Sequence, residues 1–239
     1  MPRDLGRLNA TYADDAEGAL RFALSGALGR FAMVSSFGAD SAVLLHMLAR
    51  IDAATPVLFI DTLMLFPETL TYQRDLAAHL GLTAVRVITP ARNEMFAQDP
   101  DGILHRAETD QCCALRKIRP FERALDGFDG WVSGRKRFQG GARGSLPMFE
   151  TDDPSGRIKL NPLTDWSAAR IAAYLDHNAL PRHPLVARGY PSIGCAPCTG
   201  PVAPGEDPRA GRWRGQDKTE CGIHVVDGRV IRRRAGLSP

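Results

Sequence analysis

The sequence predicts an α/β fold: a doubly wound, mostly parallel sheet followed by a flexible C-terminal tail. Three observations predict it. Short apolar runs that read as strands alternate with longer stretches of helical periodicity; the first two runs end at a Ser/Gly-rich turn and at an Asp; and periodicity fades beyond Leu180, where Pro and Gly dominate.

The elements follow in order. Leu20, Ala23, Leu24, Ala27 and Leu28 recur at helical spacing and predict an amphipathic helix over Ala16 to Gly29. Phe31 to Ser35 reads as the first strand. The turn Ser35-Ser36-Phe37-Gly38-Ala39-Asp40-Ser41 comes next, and helical periodicity resumes over Ala42 to Ala49. A strand, a Ser/Gly-rich turn and a helix N-terminus together offer backbone N–H groups to an anion. The alternative is an ordinary turn capped by Asp40 or Ser41. It is not a Walker loop, because the Gly-Lys-Ser/Thr ending is missing. Pro56 to Asp61 has the composition of a buried parallel strand and places Asp61 at its C-terminal end, where open α/β sheets bind ligands. Pro67 and Glu68 open a helix that runs to about Leu80 and stops at Gly81.

Ala84 to Ile88 and Trp131 to Gly134 read as the third and fourth strands. Between them, Gln111 to Lys117 carries Cys112-Cys113 and leads into a helix that Pro120 kinks or begins. Arg135 to Gly144 is a loop rich in Gly and Arg. Arg157 to Asn161 is one more strand, and Thr164-Asp165-Trp166 caps a helix over Ser167 to Asn178.

With 239 residues, 44% hydrophobic and 24% charged, the composition is that of one globular domain with an appended tail. The division expected is 1–200 and 201–239. No apolar run approaches a bilayer span, and the polar stretch Met1 to Ala10 has no signal-peptide core, so a cytoplasmic protein is expected. In that compartment thiols stay reduced, and five cysteines argue for metal binding or catalysis over a disulfide framework. The net charge of +3 is mild, but basic residues cluster at Arg135 to Arg137, Arg209 to Arg214 and Arg229 to Arg234. Solvated loops would account for any one cluster; three of them in the half that holds most of the cysteines point to an anionic substrate. No aromatic-basic pattern supports nucleic acid.

Four cysteines fall into two pairs, Cys112-Cys113 and Cys195-Ala196-Pro197-Cys198, which makes a four-thiolate set compatible with zinc or an iron–sulfur cluster. Adjacent cysteines are awkward for one tetrahedral ion and favour a cubane, whose separate irons accept neighbouring ligands. Cys221 has no sequence partner. It stands in Glu220-Cys221-Gly222-Ile223-His224 and is a candidate nucleophile, provided Lys218, His224 or the Arg209 to Arg212 region lowers its pKa from about 8.5. His177 and His183 read as structural or solvated, and His46 belongs to the helix after the Ser/Gly turn.

Taken together, Ser35 to Ser41, Asp61-Thr62 with Phe66-Pro67-Glu68-Thr69, Cys112-Cys113, Cys195 to Cys198 and Glu220 to His224 resemble the assimilatory adenylyl-sulfate reductases, in the family's order from Phe31 to His224. The resemblance implies an adenine-nucleotide α-hydrolase-like fold whose modified phosphate loop holds the nucleotide through Ser35, Ser36, Phe37, Gly38 and Ser41, with Asp61 and Gly134 nearby. It implies a [4Fe-4S] cluster on Cys112, Cys113, Cys195 and Cys198, and Lys117 between cluster and substrate. Arg135, Arg143, Arg209 and Arg212 would bind the phosphosulfate. Cys221 would be the nucleophile with His224 beside it, and thioredoxin the reductant. Three readings compete: the same reduction with the 3′-phosphorylated substrate, an ATP-pyrophosphatase that thiolates transfer RNA, and a metal-stapled nucleic-acid-binding module. Oligomeric state is left open, homo-oligomers included.

Overall fold

The computed structural model describes residues 4–140, 143–152 and 155–216, together with Lys218, Glu220 and Ile223. Six strands form one sheet: β1 (Phe31–Val34), β2 (Val57–Ile60), β3 (Val85–Ile88), β4 (Gly130–Val132), β5 (Phe149–Asp152) and β6 (Arg157–Leu160). Their order is β3-β2-β1-β4-β6-β5, and every pair is parallel except β5 with β6. From β1 the chain steps outward to β2 and β3, then returns to place β4 on the other side of β1. That reversal opens a crevice at the C-terminal ends of β1 and β4, the usual ligand position in such sheets.

The sheet alternates its faces as a strand must. Met33, Val57, Phe59, Val132, Ile158 and Leu160 share one core with α2 (Ala16–Leu24), α3 (Ser41–Asp52), α4 (Pro67–His79) and α9 (Ala168–His177). Ala32, Leu58, Ile60 and Trp131 point the other way, against Phe121 of α8 (Arg119–Ala124), Leu125 and Phe128. Phe121 meets Trp131 edge to face at 5.4 Å between ring centroids, an arrangement that adds about 0.5–1.5 kcal/mol to the area buried. Gly130 in β4 is a packing requirement: a Cβ there would run into the Phe31 ring and the Ile158 carbonyl.

The mostly parallel sheet and its four principal strands match the sequence expectation. Gly81, at φ +67, stops α4 as expected. Pro120 lies in the first turn of α8, so it begins that helix, directly after a π turn over Ala114–Ile118 that continues α7 (Thr109–Cys113). Three α-helices and one strand were not anticipated: α1 (Leu5–Thr11), α5 (Arg92–Gln98), α6 (Leu104–Ala107) and the antiparallel edge strand β5. The first helix of the core ends at Leu24, five residues before Gly29. The cap of α9 also differs: Ser167 accepts from the Arg170 N–H, while the Thr164 hydroxyl donates to the Asn161 carbonyl. No helix among the described residues is long and apolar enough to cross a membrane.

Candidate functional site

The crevice at the switch point is a cleft of about 200 Å³. On one side is the turn after β1. Ser36, Gly38 and Ser41 line the cleft, and so does Ser35, whose Oγ accepts from the Phe37 N–H at 3.1 Å. Phe37 behaves differently. Its left-handed backbone (φ +48) turns the ring inward, where it is fully buried against Phe59 at 5.3 Å. It anchors the turn from below, at a backbone cost of roughly 1 kcal/mol that the burial offsets. Asp61 also stays outside the cleft lining; its Oδ1 accepts from the Leu63 N–H at 2.8 Å and shapes the turn after β2.

The turn after β4 supplies Gly134, Arg135 and Lys136. Arg135 is buried and paired with Glu150. Burial, then the neighbouring charge of Arg143, brings its pKa down to about 10, so it remains a cation at neutral pH. Lys136 was missed as a site residue, although it stood in the Arg135 to Arg137 run. It is buried and binds the Asp40 carboxylate at 3.0 Å. Asp40 therefore does not cap α3 through its side chain. Burial pushes Lys136 below the ordinary lysine range, against the pull of Asp40. Arg137 leaves the cleft for Asp165 and the Leu146 carbonyl.

Arg143 lines the cleft and grips Glu220 with two hydrogen bonds, 2.5 Å from Nε and 2.8 Å from Nη2, and Arg209 approaches the same carboxylate at 3.4 Å. Burial opposes ionisation of Glu220, yet the hydrogen bonds and charge of Arg143 hold its carboxyl below the usual range. Arg212 differs from these cations. Its guanidinium lies over the Trp213 ring at 4.4 Å and against Gly194, and among the described residues its buried Nε has no hydrogen-bond partner and no carboxylate pairs with it. Leu65, Thr69 and Pro191 to Gly194 also line the cleft.

Behind Arg212 the two cysteine pairs converge. Cys112 and Cys113 end α7, and the Leu65–Cys195 bridge brings the second pair beside the turn after β2. The Thr62 hydroxyl lies 3.2 Å from Cys195 Sγ, and Lys218 Nζ donates to Cys113 Sγ at 3.3 Å while binding Asp110 at 2.6 Å. Burial, then the charge of Cys113, pushes the Cys112 thiol up to about 12. Burial, Cys195 and Cys113 raise Cys198 to about 11, against Arg212 and Lys117. The thiols thus lie close enough to influence one another's ionisation, and Lys117, which lines the cleft, also acts on Cys198 through its charge. Among the described residues no three His, Cys, Asp or Glu side chains are gathered closely enough for a single ion. A cubane imposes a wider set, because each thiolate binds a different iron. Four thiols with two polar donors already on their sulfurs fit that group better than one tetrahedral ion.

The predicted loop, arginines, Lys117 and thiols are thus gathered at one place, with Phe37 in the core beneath it and Asp61 beside it. Cys221 and His224 lie outside the described residues, although the neighbours Glu220 and Ile223 both reach this region.

The family model for the phosphoadenosine phosphosulfate reductase domain matches residues 30–201, which run from the start of β1 through both cysteine pairs. The chain belongs to this reductase family. A relative named adenosine 5′-phosphosulfate reductase, from Chelativorans sp. (strain BNC1), is 52% identical over 197 residues, covering 82% of this chain and 80% of its own length. Among solved structures, the phosphoadenylyl-sulfate reductase of Candida auris in its phosphate complex superimposes with a TM-score of 0.72 at 29% identity, over 84% of this reductase-family chain and 98% of the other. The FMN adenylyltransferase of Candida glabrata, at 18% identity and a TM-score of 0.56 over 81% of this chain and 67% of its own, shares the fold.

Proposed function

We propose that this protein reduces adenylyl sulfate to sulfite and AMP in sulfate assimilation, in the cytoplasm and with thioredoxin as the electron donor. The observation that carries this reading is Arg212: a cation without a carboxylate partner among the described residues, held over Trp213 at the wall between the thiol set and the nucleotide turn. A doubly charged phosphosulfate supplies the missing partner. Gly38, Ser41 and the N-terminus of α3 receive the nucleotide. Arg135, Lys136, Arg143, Arg209 and Lys117 add positive charge around the transferring group, which offsets the repulsion between an attacking anion and an anionic substrate.

The Cys221 thiolate attacks the sulfur of the sulfonate. The S–O bond to the phosphate breaks, AMP leaves with the electron pair, and an S-sulfocysteine remains. A thioredoxin thiolate then attacks Cys221 Sγ, sulfite departs, and the second thioredoxin thiol resolves the mixed disulfide, so that both electrons come from thioredoxin. In this reading residues 1–200 bind nucleotide and cluster, and 201–239 deliver the nucleophile, with His224 beside it. Cys112, Cys113, Cys195 and Cys198 would hold a [4Fe-4S] cluster, which when bound supplies a fixed charge beside the cleft. Lys218 and Thr62 would orient two of its thiolates through N–H and O–H donors.

The test uses anaerobically purified protein. Sulfite release from adenylyl sulfate is expected to vanish in Cys221→Ser while the brown colour and four irons per chain persist. Retained activity in that variant would overturn the assignment. Adenylyl sulfate and its 3′-phosphorylated form, compared by kcat/KM, decide between the two reductions known by name among the relatives; a preference for the latter would replace the substrate proposed here.

A further inference from the structure

The cleft contains a hydroxyl donor whose acceptor the described residues do not supply. His183 is buried and sits between two groups: its Nδ1 receives the Leu185 N–H at 3.2 Å, and its Nε2 lies 3.0 Å from the Thr69 hydroxyl. A backbone N–H can only donate, so Nδ1 is the acceptor and the ring proton belongs to Nε2. Burial pushes His183 down to about 4, against the weaker pull of Glu68, so the neutral ring persists at physiological pH. Nε2–H therefore donates to Thr69 Oγ. The hydroxyl hydrogen of Thr69 must then go to a different acceptor, and no other group among the described residues bonds to Oγ. Thr69 is 1% exposed, and the space its side chain meets is the cleft. A hydroxyl buried to that degree rarely leaves its hydrogen unused.

We propose that Thr69 donates this hydrogen bond to an acceptor atom on the nucleoside of the bound nucleotide, a purine ring nitrogen or a ribose oxygen, and that His183 is the positioning residue that fixes its direction. This assignment rests on the adenylate reading of the cleft. The nucleoside is favoured over the phosphosulfate by what surrounds Thr69 and by what does not. Thr69 opens the first turn of α4 after β2, with Ile60 and Leu65 in the same lining, whereas Arg135, Lys136 and Arg143 follow β4 on the far side of β1. Neutral hydrogen bonding suits a neutral acceptor, and the charged group is already served by the cations.

The experiment measures dissociation constants of AMP and of inorganic sulfate on the cluster-loaded protein by calorimetry. Thr69→Val and Thr69→Ala, two independent variants without the donor, are expected to weaken AMP by about 3- to 10-fold, the range for one net hydrogen bond, and to leave sulfate unchanged. Thr69→Ser, which keeps the hydroxyl, should restore AMP binding to within about 3-fold of the parent. In turnover the loss should appear in KM, with kcat retained. AMP binding unchanged in both donor-free variants overturns the proposal. Equal weakening of sulfate also overturns it, by assigning Thr69 to the anion. If the parent protein itself fails to bind AMP, the adenylate reading of the cleft falls first, and this inference falls with it.

Discussion

The two walls of the cleft are built by different physics. The wall from β1 to α4 is set by burial: Phe37, Leu44, Leu45, Leu58 and Phe59 are almost entirely enclosed, and the turn between them has one place to go. The wall from Pro181 to Trp213 contains no helix longer than one short 3-10 segment, Pro184–Arg188. It is tied by individual hydrogen bonds instead. Ala196 N–H donates to the Met64 carbonyl at 2.8 Å, Val202 N–H to Gly189 at 2.9 Å, Gly200 N–H to Gly211 at 2.8 Å and Trp213 N–H to Cys198 at 3.1 Å. Each such bond contributes on the order of 1 kcal/mol, so this wall is positioned by many small terms while the other rests on one core. The difference teaches where specificity and chemistry divide. The buried wall holds the Ser35 to Ser41 turn in fixed geometry, and the bonded wall presents Arg212 and the thiols of Cys195 and Cys198.

The strongest way to break the comparison is at Arg116, which ties the π turn that follows Cys112-Cys113 to the buried wall. It pairs with Asp99 at 2.6 Å, with both side chains enclosed, and donates to the Thr62 carbonyl at 3.2 Å. Arg116→Met leaves the Asp99 carboxylate buried without its partner and is expected to cost about 3–5 kcal/mol in urea denaturation. A loss below about 1 kcal/mol would mean that the π turn is held by packing alone.

The seam between the walls is expected to respond to pH. The folded-state pKa of His183 is lowered to about 4 from 6.5, so between those values the unfolded chain binds more protons than the folded one. Stability from this group is complete above pH 6.5 and is lost as pH falls toward 4, up to about 3 kcal/mol. Denaturation of the parent and of His183→Gln across that window isolates the effect: the parent should show the extra downward slope with falling pH, and parallel curves would exclude it.

The smallest effect sharpens the role of the bonded wall. A Cβ at Gly194 would collide with the Arg212 guanidinium, the movable end of a side chain, so Gly194→Ala should fold normally and displace that cation. The expected result is about a 10-fold loss in kcat/KM for adenylyl sulfate with the urea midpoint unchanged. Undiminished kcat/KM would show that contact with Gly194 does not set the position of Arg212.

The sequence made the buried wall legible because its period is that of its elements. The apolar run Val57–Ile60 and the helical periodicity of α3 could be read directly, and Pro67 and Gly81 marked the ends of α4. Short elements without a strong period escaped: β5 is four residues at a sheet edge, and α1 buries no side chain completely. In the site, residue types were legible and orientations were not. Arg135, Lys136 and Arg137 are consecutive and look alike in sequence, yet they go to Glu150, Asp40 and Asp165 because a turn after a strand sends neighbouring side chains in different directions. Phe37 shows the same limit: it belongs to the turn whose neighbours line the cleft, yet its backbone is left-handed and its ring packs on Phe59 in the core.

By itself, then, the amino-acid order determined the alternation of strands and helices, the grouping of four cysteines into two sequence pairs, the Ser/Gly-rich turn after the first strand and the basic clusters, because these depend on local period and residue chemistry. Tertiary structure decided which cation has no carboxylate partner among the described residues, that Thr69 and His183, 114 residues apart, share one hydrogen bond, and that the two cysteine pairs lie near enough for their charges to interact. Those outcomes depend on burial and on contacts between distant segments, and no local pattern encodes either.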